Sequence, residues 1–201
     1  MKSILQSIKP QYCELIASGK KTIEVRKTRP KLDVPFKVYI YCTKDKLLTK
    51  SHNNGNIYSS ENKYKSALEK AGNLTLSSKV IGEYVCDRIE AFSPSRAPYE
   101  TDSTITKASC LSIVELIKYS NMDKPLYGWH ISNLKIYDKP KELSELYHYC
   151  GDNPKCKNCP YLYVESNEDI GTYEQCCSNN EGCKPLTYPP QSWCYVEELQ
   201  E

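Results

Sequence analysis

The chain has 201 residues, of which 39% are hydrophobic and 26% are charged, and its formal net charge is +2. This length allows one buried core with an appended segment or two small domains, and the composition is that of a soluble globular protein. No window approaches the roughly 20 apolar residues that a membrane-spanning helix needs, and the N-terminus lacks the apolar stretch of a secretory signal, so we expect a cytoplasmic protein.

The first 42 residues predict strands and one helix in close succession. Residues 3–8 are a short strand, and residues 10–18 are an amphipathic helix that begins with proline and is ended by Gly19. Residues 22–26 alternate polar and apolar side chains, which predicts a strand that buries its aliphatic pair and displays a charged row. Residues 36–42 have the composition of a further strand.

The remaining chain predicts three more strands and another helix. Residues 44–78 are polar and indicate a surface excursion, with a candidate helix at 58–71. The other predicted elements are a long strand at 79–91, a helix at 112–119 that opens with a capping box, and strands at 127–136 and 191–196. Five or six short strands with two or three short helices, in no regular alternation, predict an α+β or barrel-like domain.

A four-residue motif follows the first predicted helix. Gly19, Lys21, Glu24 and Arg26 have the spacing Gly-x-Lys-x-x-Glu-x-Arg, which resembles the signature of the ASCH family, and the likeness covers roughly 1–146 and 187–201. The resemblance implies a PUA-like β-barrel, or pseudobarrel, of five to six strands with short flanking helices. It also implies a groove between the first helix and the barrel that holds RNA or a nucleoside in relatives.

The same resemblance implies an alternative, enzymatic function. Some small members of the family are amidohydrolases that remove an acyl group from the exocyclic amine of cytidine, and Lys21 matches their motif lysine. Glu24 takes the place of a hydroxyl residue, and Ser109 or Cys110 stands where an acid is expected. The alternative is therefore a hydrolase acting on nucleosides or RNA, an amidohydrolase or a ribonuclease, with Lys21 and Glu24 as its catalytic residues.

The charge distribution and the aromatic residues favour RNA, or a modified nucleoside or nucleotide, as the partner. Residues 1–31 carry eight Lys and Arg against two acids, whereas residues 141–188 carry four Lys against eight acids. Cationic side chains contact phosphates, and aromatic rings stack on bases. The candidate binding residues are Lys20, Lys21, Glu24, Arg26, Trp129 and Trp193. The competing interpretations are a structural Glu24–Arg26 ion pair and tryptophans buried in the core.

A cysteine cluster predicts a structural zinc site. Six of the eleven cysteines fall within residues 150–183, inside a predicted insertion at 147–186. The predicted ligands are Cys156, Cys159, Cys177 and Cys183, with Cys176 and Cys150 as alternates. Zinc would order a polar segment that lacks a core of its own, whereas a cytoplasmic setting disfavours the competing set of disulfides. The insertion is also a candidate docking site for a protein partner.

Overall fold

The computed structural model describes residues 2–44, 77–94, 104–121, 124–149 and 185–199. The candidate helix at 58–71 and the cysteine cluster at 150–183 lie outside these ranges. Within them, no helix has both the length and the apolar composition that a bilayer crossing requires.

The described elements largely follow the predicted order. They are β1 (Lys2–Ile8), α1 (Pro10–Ala17), β2 (Ile23–Arg26), β3 (Phe36–Cys42), β4 (Lys79–Phe92), α2 (Ile105–Ser109), α3 (Ile113–Ser120), β5 (Leu126–Lys141), a 3-10 turn (Leu143–Glu145) and β6 (Trp193–Glu197). Each predicted strand is present, and β5 runs five residues beyond its expected end. The α2 helix was not predicted as an element, because five residues are too few to show a helical period.

Local signals in the sequence determine where two of the helices begin and end. Pro10 occupies the first turn of α1, and Gly19, with a φ of +71°, lets the chain reverse after the helix. In α3 the hydroxyl of Ser112 accepts from the backbone N–H of Glu115 at 3.3 Å, and the Glu115 carboxylate accepts from the backbone N–H of Ser112 at 2.8 Å. The capping box predicted from the sequence is therefore confirmed.

The six strands form one mixed sheet in the order β2-β5-β4-β3-β1-β6. The β1 and β3 strands pair in parallel, and the other neighbouring strands pair antiparallel. The α+β class and the number of strands are confirmed. Within the described residues the sheet is not closed, because the edge strands β2 and β6 share no backbone ladder.

Side chains connect the two edges of the sheet where backbone pairing does not. Arg26 of β2 donates from Nη2 to the carbonyl of Ser7 in β1 at 2.7 Å, and its Nη1 lies 3.4 Å from the carbonyl of Ser192, just before β6. Trp193 of β6 donates from Nε1 to the hydroxyl of Thr28 at 3.0 Å, shortly after β2 ends. The sheet therefore curls into a barrel-like shape that is joined across its open side by side-chain hydrogen bonds.

Both faces of β2 are covered, which corrects the prediction that its charged row is displayed. Ile23 and Val25 pack in an apolar cluster with α2, α3 and the start of β5. Glu24 and Arg26 alternate with them as predicted, yet each is only 6% exposed. The predicted alternation of side chains is therefore confirmed. The charged face of β2 is nevertheless buried, because β1 and the start of β6 lie against it.

The chain leaves and re-enters the described sheet at neighbouring positions on either side of residues 150–184. Tyr147 and Pro185 form an isolated antiparallel bridge, and the N–H of Leu186 donates to the carbonyl of Leu146 at 2.7 Å. Leu146 and Leu186 are both buried in the cluster that contains Leu5. The two ends of this segment are thus fixed side by side on the sheet.

Candidate functional site

Three residues of the motif form a buried charged network. Glu24 lies between two cations: its Oε1 is 3.1 Å from Arg26 Nη2, and its Oε2 is 3.2 Å from Lys21 Nζ. Lys21 is 2% exposed. Charged side chains are almost never this buried unless they are paired. The motif therefore brings together Lys21, Glu24 and Arg26, as the sequence predicted, inside the protein rather than on an open rim.

The turn after α1 places Lys21 in this network. The backbone N–H groups of Lys20 and Lys21 both lie 2.9 Å from the carbonyl of Leu15, and the N–H of Thr22 donates to the carbonyl of Ala108 in α2 at 2.8 Å. Lys21 Nζ then donates to the carbonyl of Ser109, the last residue of α2, at 2.6 Å. The lysine thus ties the start of β2 to the end of α2.

Polar atoms around the network lack hydrogen bonds within the described part of the chain. They are Glu24 Oε2, Arg26 Nε, Ser109 Oγ and Gln6 Nε2, and each is shielded from solvent. Glu24 Oε2 touches Lys21 Nζ as an ion pair, but the contact does not have the angles of a hydrogen bond. Leaving a buried donor or acceptor unpaired costs about 1–3 kcal/mol. The indole Nε1 of the core residue Trp129 also lacks a partner; buried polar atoms of this kind call for a partner, which a bound ligand or an ordered water would supply.

Gln6 and Tyr84 extend the polar region across the sheet. The Tyr84 hydroxyl donates to Gln6 Oε1 at 2.8 Å, and both residues are buried. Burial raises the pKa of Tyr84, and the charge on Glu24 also raises it, whereas Arg26 lowers it. Gln6 and Tyr84 therefore lie within electrostatic range of the charged network. No sequence pattern indicated their role, because each occupies an ordinary strand position.

Two tyrosines border the network. Lys21 Nζ lies 5.2 Å from the ring centroid of the half-buried Tyr12. Tyr119 of α3 is 37% exposed; burial of its hydroxyl raises its pKa, and Arg26 and Glu24 then act on it in opposite directions. Tyr119 was missed from the sequence because it lies near the end of α3 and belongs to no motif, and its proximity to Arg26 depends on tertiary packing.

The two tryptophans are too buried to stack well on a ligand. Trp129 is fully buried, with its ring 5.7 Å from Phe36 and 6.0 Å from Trp193. Its position supports the core interpretation that the sequence also allowed. Trp193 is half-buried, and its indole is held by Thr28. The tryptophans are therefore less suited to stacking on a ligand than the two tyrosines that border the network.

The other predicted site residues have different outcomes. Lys20 is exposed beside Lys21. Of the two residues proposed for the position of the family acid, Ser109 contacts Lys21, whereas the thiol of Cys110 contacts the carbonyl of Lys20 at 3.4 Å. The six clustered cysteines lie outside the described residues. Within the described ranges, no group of three or more His, Cys, Asp or Glu residues could hold a metal ion.

One open depression lies outside the charged network. It has a volume of about 430 Å³ and is lined by residues 29–34 and Ile89. None of Lys21, Glu24 and Arg26 lines it. The depression is therefore separate from the network, which is bordered instead by the partly exposed rings of Tyr12 and Tyr119.

Comparisons with known proteins agree with the observed fold. A family model described as the ASCH domain matches residues 7–141. A crystal structure of ASCH from Zymomonas mobilis has a TM-score of 0.52 and 14% identity, covering 98% of this chain and 88% of that chain. A crystal structure of a mutant of the Zymomonas mobilis protein ZmASCH has a TM-score of 0.53 and 13% identity, covering 98% and 89%. A comparison with curated proteins gives no match.

The chain belongs to the ASCH domain family, because the matched residues make up more than half of its length. The likeness to the Zymomonas mobilis structures, at 13–14% identity, supports the fold alone. The suspected family and its PUA-like architecture are thus confirmed. Membership is consistent in general terms with RNA binding or a related function.

Proposed function

We propose that this protein binds RNA or a modified nucleoside and that the charged network of Lys21, Glu24 and Arg26 recognises one base. The observation that supports the proposal is the group of buried polar atoms without hydrogen-bond partners around that network, Glu24 Oε2, Arg26 Nε and Ser109 Oγ. A base edge offers donors and acceptors that would satisfy such atoms. Tyr12 and Tyr119 provide rings for stacking next to them.

Lys21 acts in this proposal as a binding cation. Its ammonium group already donates to the carbonyl of Ser109 and pairs with Glu24. Charge-assisted hydrogen bonds of this kind hold a side chain in one geometry and are stronger than neutral ones. Lys21 thereby fixes Glu24 and the end of α2 in position for the ligand.

The hydrolase alternative has one observation in its favour. Ser109 is fully buried, its carbonyl holds Lys21 Nζ, and its hydroxyl makes no hydrogen bond within the described residues. A serine close to a lysine is one form of an activated nucleophile. Turnover of acylated cytidine or cleavage of RNA that is lost in both Ser109→Ala and Lys21→Met would support this alternative.

A thermal-shift panel of modified nucleosides and short RNAs tests the binding proposal. Ser109→Ala removes a hydroxyl that has no partner within the described residues and keeps the carbonyl that holds Lys21, so the fold should persist. Loss of one hydrogen bond to a ligand should weaken binding by roughly 0.5–1.5 kcal/mol, which is about two- to tenfold. Ser132→Ala is the matched control, since that serine bonds the carbonyl of Val85 elsewhere in the sheet. If no nucleoside or RNA shifts the melting temperature, the proposal fails.

We also propose that the cysteine cluster binds a structural zinc ion through Cys156, Cys159, Cys177 and Cys183, with Cys176 and Cys150 as alternates. The support is the sequence spacing alone. Elemental analysis of the purified protein should find zinc, and Cys156→Ser should lower the zinc content. Protein without zinc after expression in zinc-supplemented medium would contradict this assignment. A deletion of residues 150–184, which spares Leu146 and Leu186, should remove the metal and leave the sheet folded.

A further inference from the structure

Four exposed lysines lie next to β2 in the chain or in the helices α2 and α3 that pack against it, and they make no ion pair with the residues that the structure describes. They are Lys20 after α1, Lys27 after β2, Lys107 in α2 and Lys118 in α3. We refer to these four residues as the unpaired-cation surface. Several lysines elsewhere in the described chain have an acidic partner, for example Lys37 and Lys141.

The four lysines fall into two pairs at opposite ends of β2. The thiol of Cys110 lies 3.4 Å from the carbonyl of Lys20 and 3.7 Å from that of Lys107, which brings these two residues together beside Lys21. At the other end, Lys27 Nζ lies 4.8 Å from the ring centroid of Tyr119, the neighbour of Lys118 in the chain. Four strand residues separate the two ends, about 13 Å at the usual rise per residue.

The acids in these elements are already engaged. Residues 18–31 and 104–121 contain two acidic residues, Glu24 and Glu115. Glu24 is buried between Lys21 and Arg26, and Glu115 accepts hydrogen bonds from Ser112 in the cap of α3. Neither can neutralise the lysines outside. Within residues 18–31 and 104–121, no acidic side chain is therefore left to compensate the lysines.

Helix stability accounts for part of this arrangement. Lys107 and Lys118 each lie in the last turn of their helix, where a cation interacts favourably with the helix dipole. Lys20 and Lys27 lie outside helices and have no such role. A stabilising function of the two helical lysines therefore does not explain why cations stand at both ends of the charged strand.

We propose that the ligand is an RNA strand, with its phosphates along the unpaired-cation surface and one base in the charged network. The inference rests on the proposed function and narrows its choice of ligand. A free nucleoside has no phosphate and would gain nothing from these four lysines, whereas a phosphodiester chain crossing β2 passes both pairs. Tyr119 beside Lys27 offers a ring on which a neighbouring base can stack.

The salt dependence of binding measures the number of phosphates that the protein neutralises. For single strands, log K falls against log salt with a slope of about −0.7 for each phosphate contact. Four contacts give a slope of about −3. A ligand held through its base alone gives a slope near zero, so the measurement distinguishes the two modes without knowledge of the sequence that is bound.

Two triple variants with the same change in net charge make the test specific. In the first, Lys20, Lys107 and Lys118 become Gln; in the second, Lys37, Lys79 and Lys141, which have acidic partners, become Gln. Each is titrated with a fluorescent single-stranded RNA of about ten nucleotides and mixed sequence, at several salt concentrations. We expect the slope to become less steep in the first variant, changing from about −3 to about −1, and to stay unchanged in the second.

Each outcome bears on a different claim. Equal slopes for the two triple variants would overturn the inference. Stabilisation by free nucleosides with no RNA binding would also overturn it but would leave the proposed function standing, whereas no binding of either ligand would remove both. If the first triple variant does not fold by circular dichroism, Lys20→Gln alone replaces it, and the slope should then weaken by about 0.7.

Discussion

Three lysines on one side of the described sheet have acidic partners, whereas four exposed lysines near β2 do not. On the side of β3 and the distal ends of β4 and β5, Lys37 lies 2.8 Å from Glu198, Lys79 pairs with Glu142, and Lys141 lies 3.7 Å from Glu145. On the side of β2, α2 and α3, exposed lysines have no acidic partner among the described residues. A net charge of +2 conceals this asymmetry, so the pairing of individual cations says more about function than their total.

The two sides also differ in what their ion pairs contribute to stability. The pairs made by Lys37, Lys79 and Lys141 involve partly exposed side chains, and such pairs contribute about 0–1 kcal/mol. The pairs of Glu24 with Lys21 and Arg26 are almost fully buried. Removing one member of a buried pair leaves an uncompensated charge, which costs about 3–5 kcal/mol. Mutations matched across the two sides should therefore have very different effects.

Glu24→Gln should have the largest effect on stability. It keeps the shape of the side chain but leaves Lys21 and Arg26 as buried cations without a counter-ion, and we expect the free energy of unfolding to fall by about 3–5 kcal/mol. Glu198→Gln, which removes the partner of Lys37, should cost less than about 1 kcal/mol. Urea denaturation measures both. Equal losses would mean that burial of the Glu24 network has no special energetic weight.

Gly82→Ala should have the second largest effect on stability, because this glycine lies where β4 and β5 approach closely. A Cβ at this position would come within 2.5 Å of the carbonyl oxygen of Lys135 and 3.1 Å of Ile136 Cα. Because both contacts are with backbone, the strands must shift, and we expect a loss of about 1–3 kcal/mol by thermal or chemical denaturation. If the Gly82→Ala variant were as stable as the wild type, the two strands could separate without cost.

Gly19→Ala should be destabilising for a different reason. A Cβ here meets no atom within 4 Å, but the φ of +71° is one that residues with a side chain rarely adopt. The expected cost is about 1–2 kcal/mol. Gly19→Asn, which tolerates this conformation better, should recover part of the loss. Equal stabilities of the two variants in urea would argue against backbone strain as the cause.

Ser112→Ala should have the smallest effect, about 1 kcal/mol at neutral pH, through loss of the α3 cap. Hydrogen bonds from the backbone N–H and hydroxyl of Ser112 lower the pKa of Glu115. The associated stabilisation is present above the unfolded carboxyl pKa of about 4.3 and is lost as the pH falls through the lower folded value.

The difference in unfolding free energy between wild type and Ser112→Ala should therefore shrink as the pH falls through the lowered folded pKa of Glu115, because the carboxylate that the hydroxyl contacts is then lost. Ser144→Ala, at an exposed serine of the 3-10 turn, is the control and should change stability little across this pH range. A difference that grows on acidification would show that the sign of this linkage is wrong.

Short-range patterns made the strands, α1 and α3 predictable. Alternation identified β2, proline and glycine bounded α1, and the Ser112–Glu115 spacing identified the cap of α3, because each of these signals lies within a few neighbouring residues. The family motif added that Lys21, Glu24 and Arg26 belong to one site. These are the features for which local sequence and tertiary structure agree.

Features that depend on distant parts of the chain were not predictable. Burial of Glu24 and Arg26 requires β1 and the start of β6 to approach β2, which no local pattern encodes. Tyr119 and Gln6 occupy ordinary positions and gain significance only from packing. The pseudobarrel was predicted, but the sequence does not show how its open side is joined, because strand count and propensity do not distinguish a backbone ladder from side-chain hydrogen bonds made by Arg26 and Trp193.

The adjacent anchoring of Tyr147 and Pro185 makes the connection between β5 and β6 a permissive position for changes of length. The 35 residues from 150 to 184 are bounded by ends that are already paired, and the entropic cost of closing a flexible loop rises by only about 0.6 kcal/mol for each doubling of its length. A short linker, an affinity tag or a whole foreign domain could be grafted there with the sheet intact. The same tolerance would let evolution exchange the module at this point without rebuilding the side of the sheet that carries β2.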